Sequence, residues 1–131
     1  MSAFEPVPTD VDAIGRAVVD ACFKVHSQLG AGLLESSYEA CLAHELRKRG
    51  FDVQAQVLLP IVYDGIRIDA GYRIDLLVDR CVIVEVKAVD KMLPVFEAQL
   101  LTYLKLSHIR LGYLVNFNVP LIKDGIKRMA L

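Results

Sequence analysis

Three charged residues stand where the surrounding sequence is mostly apolar. Glu85 and Lys87 end the run Cys81-Val-Ile-Val-Glu-Val-Lys, and Asp75 interrupts Tyr72-Arg-Ile-Asp-Leu-Leu-Val. Both segments read as β-strands from their Val, Ile and Leu content. With Val86 between them, Glu85 and Lys87 project to the same face of their strand, because side chains alternate. Asp is disfavoured inside strands, and a carboxylate or ammonium taken out of water is costly unless it finds a partner. One reading is structural: Asp75 lies on an edge strand, or forms an ion pair with Lys87. The other is chemical. Two carboxylates from adjacent strands, a backbone carbonyl and water make a hard oxygen shell suited to Mg²⁺ or Mn²⁺. A lysine beside that shell can orient a water and steady charge on a phosphate.

The chemical reading depends on register. A two-residue turn at Asp79-Arg80 pairs Asp75 with Val84 and leaves Asp75 on the face opposite Glu85. An odd loop, such as Asp79 to Cys81, sets Asp75 against Glu85. A cation site therefore requires an odd loop or a bulge.

The rest of the chain supplies the elements that position these groups. Ile14, Val18, Ala21, Cys22, Val25 and Leu29 recur at helical spacing, with Thr9 or Asp10 as the cap. Gly30-Ala31-Gly32 breaks this helix. A second is expected over 33–49, lined by Leu34, Tyr38, Cys41, Leu42 and Leu46 and stopped by Gly50. Strands follow over 53–63, bent near Pro60, and over 66–78, joined by the Asp64-Gly65 turn. A third spans 81–86 and is apolar enough to be covered on both faces. Pro94 opens a third helix, 110–117 is a strand, and 121–129 holds a closing strand or hairpin arm. The order describes an α/β fold, a mixed sheet flanked by helices. Residues 1–9 read as an arm and 10–131 as one domain.

Composition bounds the function. A chain of 131 residues with 54% hydrophobic and 24% charged residues can bury a real core and is not intrinsically disordered. A net charge of -1 argues against a protein that coats nucleic acid by bulk attraction, while leaving room for one that meets phosphates locally. No apolar stretch is long enough to span a membrane, and the start lacks a signal-peptide pattern, so a cytoplasmic protein is expected. Cys22, Cys41 and Cys81 show no metal-binding or disulfide spacing and read as reduced core residues. His26, His44 and His108 lack partners at ligand spacing and read as structural, with His26 bordering the segment described next.

Asp75 followed by Glu85-Val86-Lys87 resembles the motif of the PD-(D/E)xK nuclease superfamily, an Asp on one strand followed by Glu/Asp-x-Lys on the next, with Ile74 in place of the usual proline. Gly32-Leu-Leu-Glu35-Ser-Ser-Tyr38 looks like the signature of the GxxExxY branch of that superfamily. Val25-His-Ser-Gln-Leu-Gly30 and Gln99-Leu-Leu-Thr-Tyr103-Leu resemble the same branch, in matching order from about 14 to 128. The resemblance implies a helix-flanked sheet with an αβββαβ core and a restriction-endonuclease-like fold. It further implies Asp75, Glu85 and the Val86 carbonyl as ligands of Mg²⁺ or Mn²⁺, Lys87 as the catalytic lysine, and Glu35 as a helical carboxylate near the metal. Gln99 and Tyr103 resemble the Q-x-x-x-Y motif of RecB-like nucleases. Read without the resemblance, Glu35 is a first-turn acid, Tyr103 is core and Gln99 is surface. Tyr38 either holds Glu35 or packs.

The leading expectation is a metal-dependent nuclease acting on DNA, with RNA second, in which Lys91, Lys105, Arg110, Lys123, Lys127 and Arg128 supply phosphate contacts. The alternative is a non-catalytic nucleic-acid- or protein-binding module that keeps the fold, as a subunit of a repair or defence complex. The apolar end Met129-Ala-Leu131 would suit a homodimer interface.

Overall fold

The computed structural model describes residues 5–131. Its elements are α1 (Thr9–Leu29), α2 (Glu35–Lys48), β1 (Val53–Leu58), β2 (Ile61–Tyr63), β3 (Ile66–Ile68), β4 (Arg73–Val78), β5 (Val82–Lys87), α3 (Pro94–Ser107), β6 (Leu111–Asn116), a 3₁₀ turn (Ile122–Asp124) and β7 (Ile126–Ala130). Five strands form one mixed sheet in the order β1-β4-β5-β6-β7. β5 and β6 run parallel, joined by α3 as the crossover such a pair needs. The other neighbours are antiparallel. α2, three sheet strands, α3 and β6 are the expected αβββαβ core.

Two apolar layers sandwich the sheet. On one face Val18, Ala21, Cys22 and Val25 of α1 and Tyr38, Leu42 and Leu46 of α2 pack on Leu76, Val78, Val82, Val84, Val86, Val115 and Phe117. On the other, Leu100, Tyr103 and Leu104 of α3 pack on Ile74, Leu77, Ile83 and Leu114. The helical stripes read from periodicity are largely these buried faces, but Leu29, Leu34 and Cys41, counted in them, are exposed. β5 is buried over Val82–Val86, as expected of a central strand covered on both sides.

Several boundaries differ from the reading of the sequence. The strands expected over 53–63 and 66–78 are each cut in two, and β2 and β3 form a separate ribbon, paired among the described residues only with each other. Pro60, which has no N–H to give a ladder, lies at the first cut, and the second falls at Asp69–Tyr72, where Gly71 has φ +80. α1 is not capped by Thr9 or Asp10. Pro8 holds the cap position in extended conformation without a side-chain cap, and its carbonyl accepts from Asp12 N at 2.9 Å. α2 begins at Glu35, two residues later than expected. It ends as expected: Gly50, at φ +94, follows the Arg49 cap. Gly50 N donates to Arg47 O at 2.9 Å and Phe51 N to Leu46 O at 3.1 Å, a left-handed closure that favours glycine.

Of the expected arm, residues 1–4 lie outside the described residues, and Arg110 donates to the Glu5 and Pro6 carbonyls. Only Cys22 is a core cysteine, its thiol pushed up to about 12 by burial. Cys41 is exposed, and Cys81, in the loop before β5, is partly exposed while it packs against the edge of the core. No described helix is long and apolar enough to cross a membrane.

Candidate functional site

The β4–β5 hairpin sets the geometry. Its ladder pairs Val78 with Val82, Leu77 with Ile83 and Leu76 with Val84, leaving a loop of Asp79, Arg80 and Cys81. The loop closes with Cys81 N on Val78 O at 3.0 Å, and Asp79 and Arg80 both take left-handed conformations. This is the odd loop, so continuing the register sets Asp75 against Glu85. The backbone ladder does not continue. Asp75 N donates to Glu85 Oε2 at 2.8 Å, and Val86 N donates to Asp75 Oδ2 at 2.9 Å. The two strands part, and each carboxylate satisfies a backbone N–H left open by the parting.

A break in alternation permits this. Ile74 and Leu77 pack on the α3 face, whereas Leu76 and Val78 pack on the α1/α2 face. Ile74 and Leu76, two apart, therefore point to opposite faces, and the irregular residue between them is Asp75. The neighbouring strand does the same: Val53 and Val57 pack on opposite faces, with Gln56 at φ 54 between them. Gln56 Nε2 donates to Glu39 Oε1 at 2.8 Å and to Asp75 Oδ1 at 3.2 Å. Phe117 N donates to Lys87 O at 2.9 Å on the β6 side. Alternation then turns both the N–H and the carbonyl of Val86 toward β4.

The electrostatics follow from crowding. Glu85 is 4% exposed, and its carboxyl is pushed up to about 8 by burial first and by the Asp75 charge second. Glu35, first residue of α2, is raised by burial, with the Lys87 charge opposing and the Asp75 charge adding. Glu39 is raised by burial and then by Asp75. Lys87 is the cation among these acids. It is half-buried, with Nζ 4.7 Å from the centre of the Phe96 ring, a cation–π distance. Neither structural reading of Asp75 holds: β4 lies inside the sheet, and among the described residues the partners of the Asp75 carboxylate are Val86 N and Gln56, not Lys87.

The site opens on two hollows. One, of about 610 Å³, is lined by Leu34, Glu35, Ser36, Glu39, Gln56 and Asp75. The other, of about 540 Å³, holds Lys87, Gln99 and Tyr103 in its wall. Gln99 Nε2 donates to Tyr103 Oη at 3.0 Å. The Tyr103 hydroxyl is raised by burial and then by the Glu85 charge, so both motif residues of α3 belong to this neighbourhood. Tyr38 packs rather than holding Glu35. Its ring stacks on Phe117 at 4.6 Å, and its hydroxyl donates to Gly30 O at 2.6 Å and accepts from Leu33 N at 3.1 Å, tying down the loop that leads into Glu35.

Glu39 and Gln56 were missed by reading the sequence. Glu39 follows Glu35 by four residues on one helix face, a like-charge pair that is unfavourable in isolation and therefore a usable signal. Nothing in the sequence marks Gln56. The three histidines line neither hollow, and His26 Nε2 lies 2.8 Å from Val119 O. Arg110, Lys127 and Arg128 do not face the site: Arg110 holds the Glu5, Pro6 and Leu131 carbonyls, Lys127 pairs with Glu97 and Arg128 with Asp12.

Among the described residues, no three His, Cys, Asp or Glu side chains converge tightly enough, as they stand, to enclose an ion. The donor chemistry nonetheless fits a hard divalent cation. It is all oxygen, with opposed carboxylates, a carbonyl turned toward them, and a buried glutamate that loses its proton only at raised pH without added positive charge.

No curated protein and no solved structure matches the chain. A family model of the PD-(D/E)XK nuclease superfamily matches residues 12–129. Such nucleases act on nucleic acids and generally use divalent metal ions. With that match over nearly the whole chain and a helix-flanked mixed sheet, the chain belongs to the PD-(D/E)XK nuclease superfamily.

Proposed function

We propose that the protein is a metal-dependent nuclease of the GxxExxY branch that hydrolyses phosphodiester bonds, in DNA ahead of RNA. The observation that carries this reading is the exchange of carboxylate–amide hydrogen bonds between Asp75 and the Glu85–Val86 segment where β4 and β5 part, with Lys87 two residues on. A site that has to hold a cation needs carboxylates fixed close together although they repel one another, and the backbone donors fix them.

Asp75, Glu85 and the Val86 carbonyl would hold Mg²⁺ or Mn²⁺, with Glu35 contributing from α2. When bound, the cation supplies Lewis acidity toward the phosphate and acidifies a bound water. Lys87, held over Phe96, sets a positive charge beside the carboxylates, where it orients the water and attracts the phosphate oxygens. Gln99 and Tyr103 form a hydrogen-bonded pair in the wall of the hollow that Lys87 also lines, where they would position the strand. Asp75, Glu35 and Glu39 crowd the site with carboxylates that repel a polyanion in the absence of the cation, so metal and substrate binding should be linked.

The test is cleavage of single- and double-stranded DNA and RNA with Mg²⁺ or Mn²⁺. Asp75→Asn and Lys87→Met should each lower the rate by about 10²–10³-fold with the fold retained. Activity that survives both substitutions refutes the assignment. A binding module is favoured by one observation, the engagement of Arg110, Lys127 and Arg128 away from the site. That reading gains if calorimetry finds no Mn²⁺ binding, or binding unchanged in Glu85→Gln.

A further inference from the structure

The hollow beside Lys87 differs in character from its acidic neighbour. Its wall is mainly Ile61, Tyr72, Val95, Phe96 and Leu106, all apolar or aromatic. Tyr72 is 43% exposed, and its ring meets Tyr103 edge-on with centroids 6.3 Å apart. The polar groups in the wall are few: the Gln99 amide, the Thr102 hydroxyl, Tyr103 and Lys87 itself. Ile61 enters from β2, so the separate β2–β3 ribbon forms one rim. That ribbon exposes Val62, Tyr63 and Ile66 at 64%, 72% and 62%. A two-stranded ribbon is marginal alone in water, and it borders the site rather than the main core.

A phosphate would lose its hydration in this apolar hollow without enough donors to replace it. A nucleobase would not: it offers a π face to Tyr72 and Phe96 and hydrogen-bonding edges to Gln99 and Thr102. Lys87 lies in the wall of this hollow and two residues beyond Glu85. A strand whose phosphate sits at the carboxylates therefore has an adjacent base within reach of it. A base inside a duplex is stacked and paired, so it must be extracted at a cost before it can enter the hollow.

Resting on the nuclease reading, we propose that this hollow receives an unpaired nucleobase and makes the substrate a single-stranded or locally opened nucleic acid.

The test uses the full chain and three fluorescent oligodeoxynucleotides: a single strand, its duplex, and the single strand with one abasic position moved along it. Binding is measured by anisotropy in Ca²⁺ and cleavage in Mn²⁺. The wild type should bind the single strand about tenfold or more tighter than the duplex and lose about tenfold at one abasic position, within the range of base–aromatic stacking. Tyr72→Ala should erase both differences and Tyr72→Phe should keep them. The abasic scan on wild-type protein decides the matter even if Tyr72→Ala fails to fold. Equal binding of intact and abasic strands, with cleavage, overturns the base hollow and leaves the nuclease reading intact. Discrimination in binding with no cleavage supports the hollow and overturns the nuclease reading. No binding at all overturns both.

Discussion

Glu85→Gln isolates the energetic cost of the carboxylate pair. Glu85 titrates at about 8 in the folded chain because it is buried and faces Asp75, against an ordinary value of 4.5. Between those values the folded protein holds a proton that the unfolded chain has released. Its stability contribution is therefore fully present below about 4.5 and is lost as pH rises through about 8. The difference corresponds to a ceiling of about 5 kcal/mol, or a fall of ~10 °C or more in Tm for a domain of this size. Gln keeps the shape and the oxygen that accepts from Asp75 N but carries no proton to lose. Urea or thermal unfolding from pH 4.5 to 8.5 in EDTA should show wild-type stability falling with pH. The variant should show a much flatter profile and greater stability above pH 8, its residual slope coming from Glu35 and Glu39, which are raised for similar reasons. Mn²⁺ should flatten the wild-type profile too and release protons on binding below pH 8. A wild type that is flat in EDTA, or a variant with the wild-type slope, would refute the argument that burial and Asp75 control this group.

Three further substitutions test the supports of the site. Tyr38→Phe keeps the stack on Phe117 but removes the hydroxyl shared by Gly30 O and Leu33 N, so urea titration should show a loss of about 1–3 kcal/mol, with cleavage falling because Glu35 follows that loop. Asn116, 3% exposed, accepts from Val89 N at 3.1 Å and donates to Val89 O at 3.0 Å just beyond Lys87. Asn116→Ala should cost about 1–3 kcal/mol and speed hydrogen exchange at Val89. An added Cβ at Gly125 would lie 2.1 Å from Asn116 O, so Gly125→Ala should lower Tm by ~5 °C or more through overpacking.

The helices and the buried central strand were legible because they rest on periodicity. α1 repeats its apolar residues at helical spacing and β5 is apolar throughout, and packing on a two-layered sheet follows. The split of the long β segments was not legible, since Val57 to Tyr63 reads equally as one bent strand or two. The pairing of Asp75 with Glu85 was legible only as a condition. It turns on a three-residue loop in which Arg80 takes a left-handed conformation, a choice residue preference does not favour.

The break at Asp75 lay deeper still, because strand patterning assumes that residues two apart share a face, and at Ile74 and Leu76 they do not. The same break explains how the carboxylates meet. In an unbroken hairpin, Asp75 and Glu85 would stand side by side above the sheet while their backbones paired beneath. Here the backbones separate and the carboxylates turn in to bond the freed N–H groups. Gln56 repeats the break on β1 and joins Asp75 to Glu39 of α2. The irregularity thus connects the strand carboxylates to the helical ones. A regular sheet would have kept Glu35 and Glu39 on one side and Glu85 and Lys87 on the other, with a layer of backbone between them.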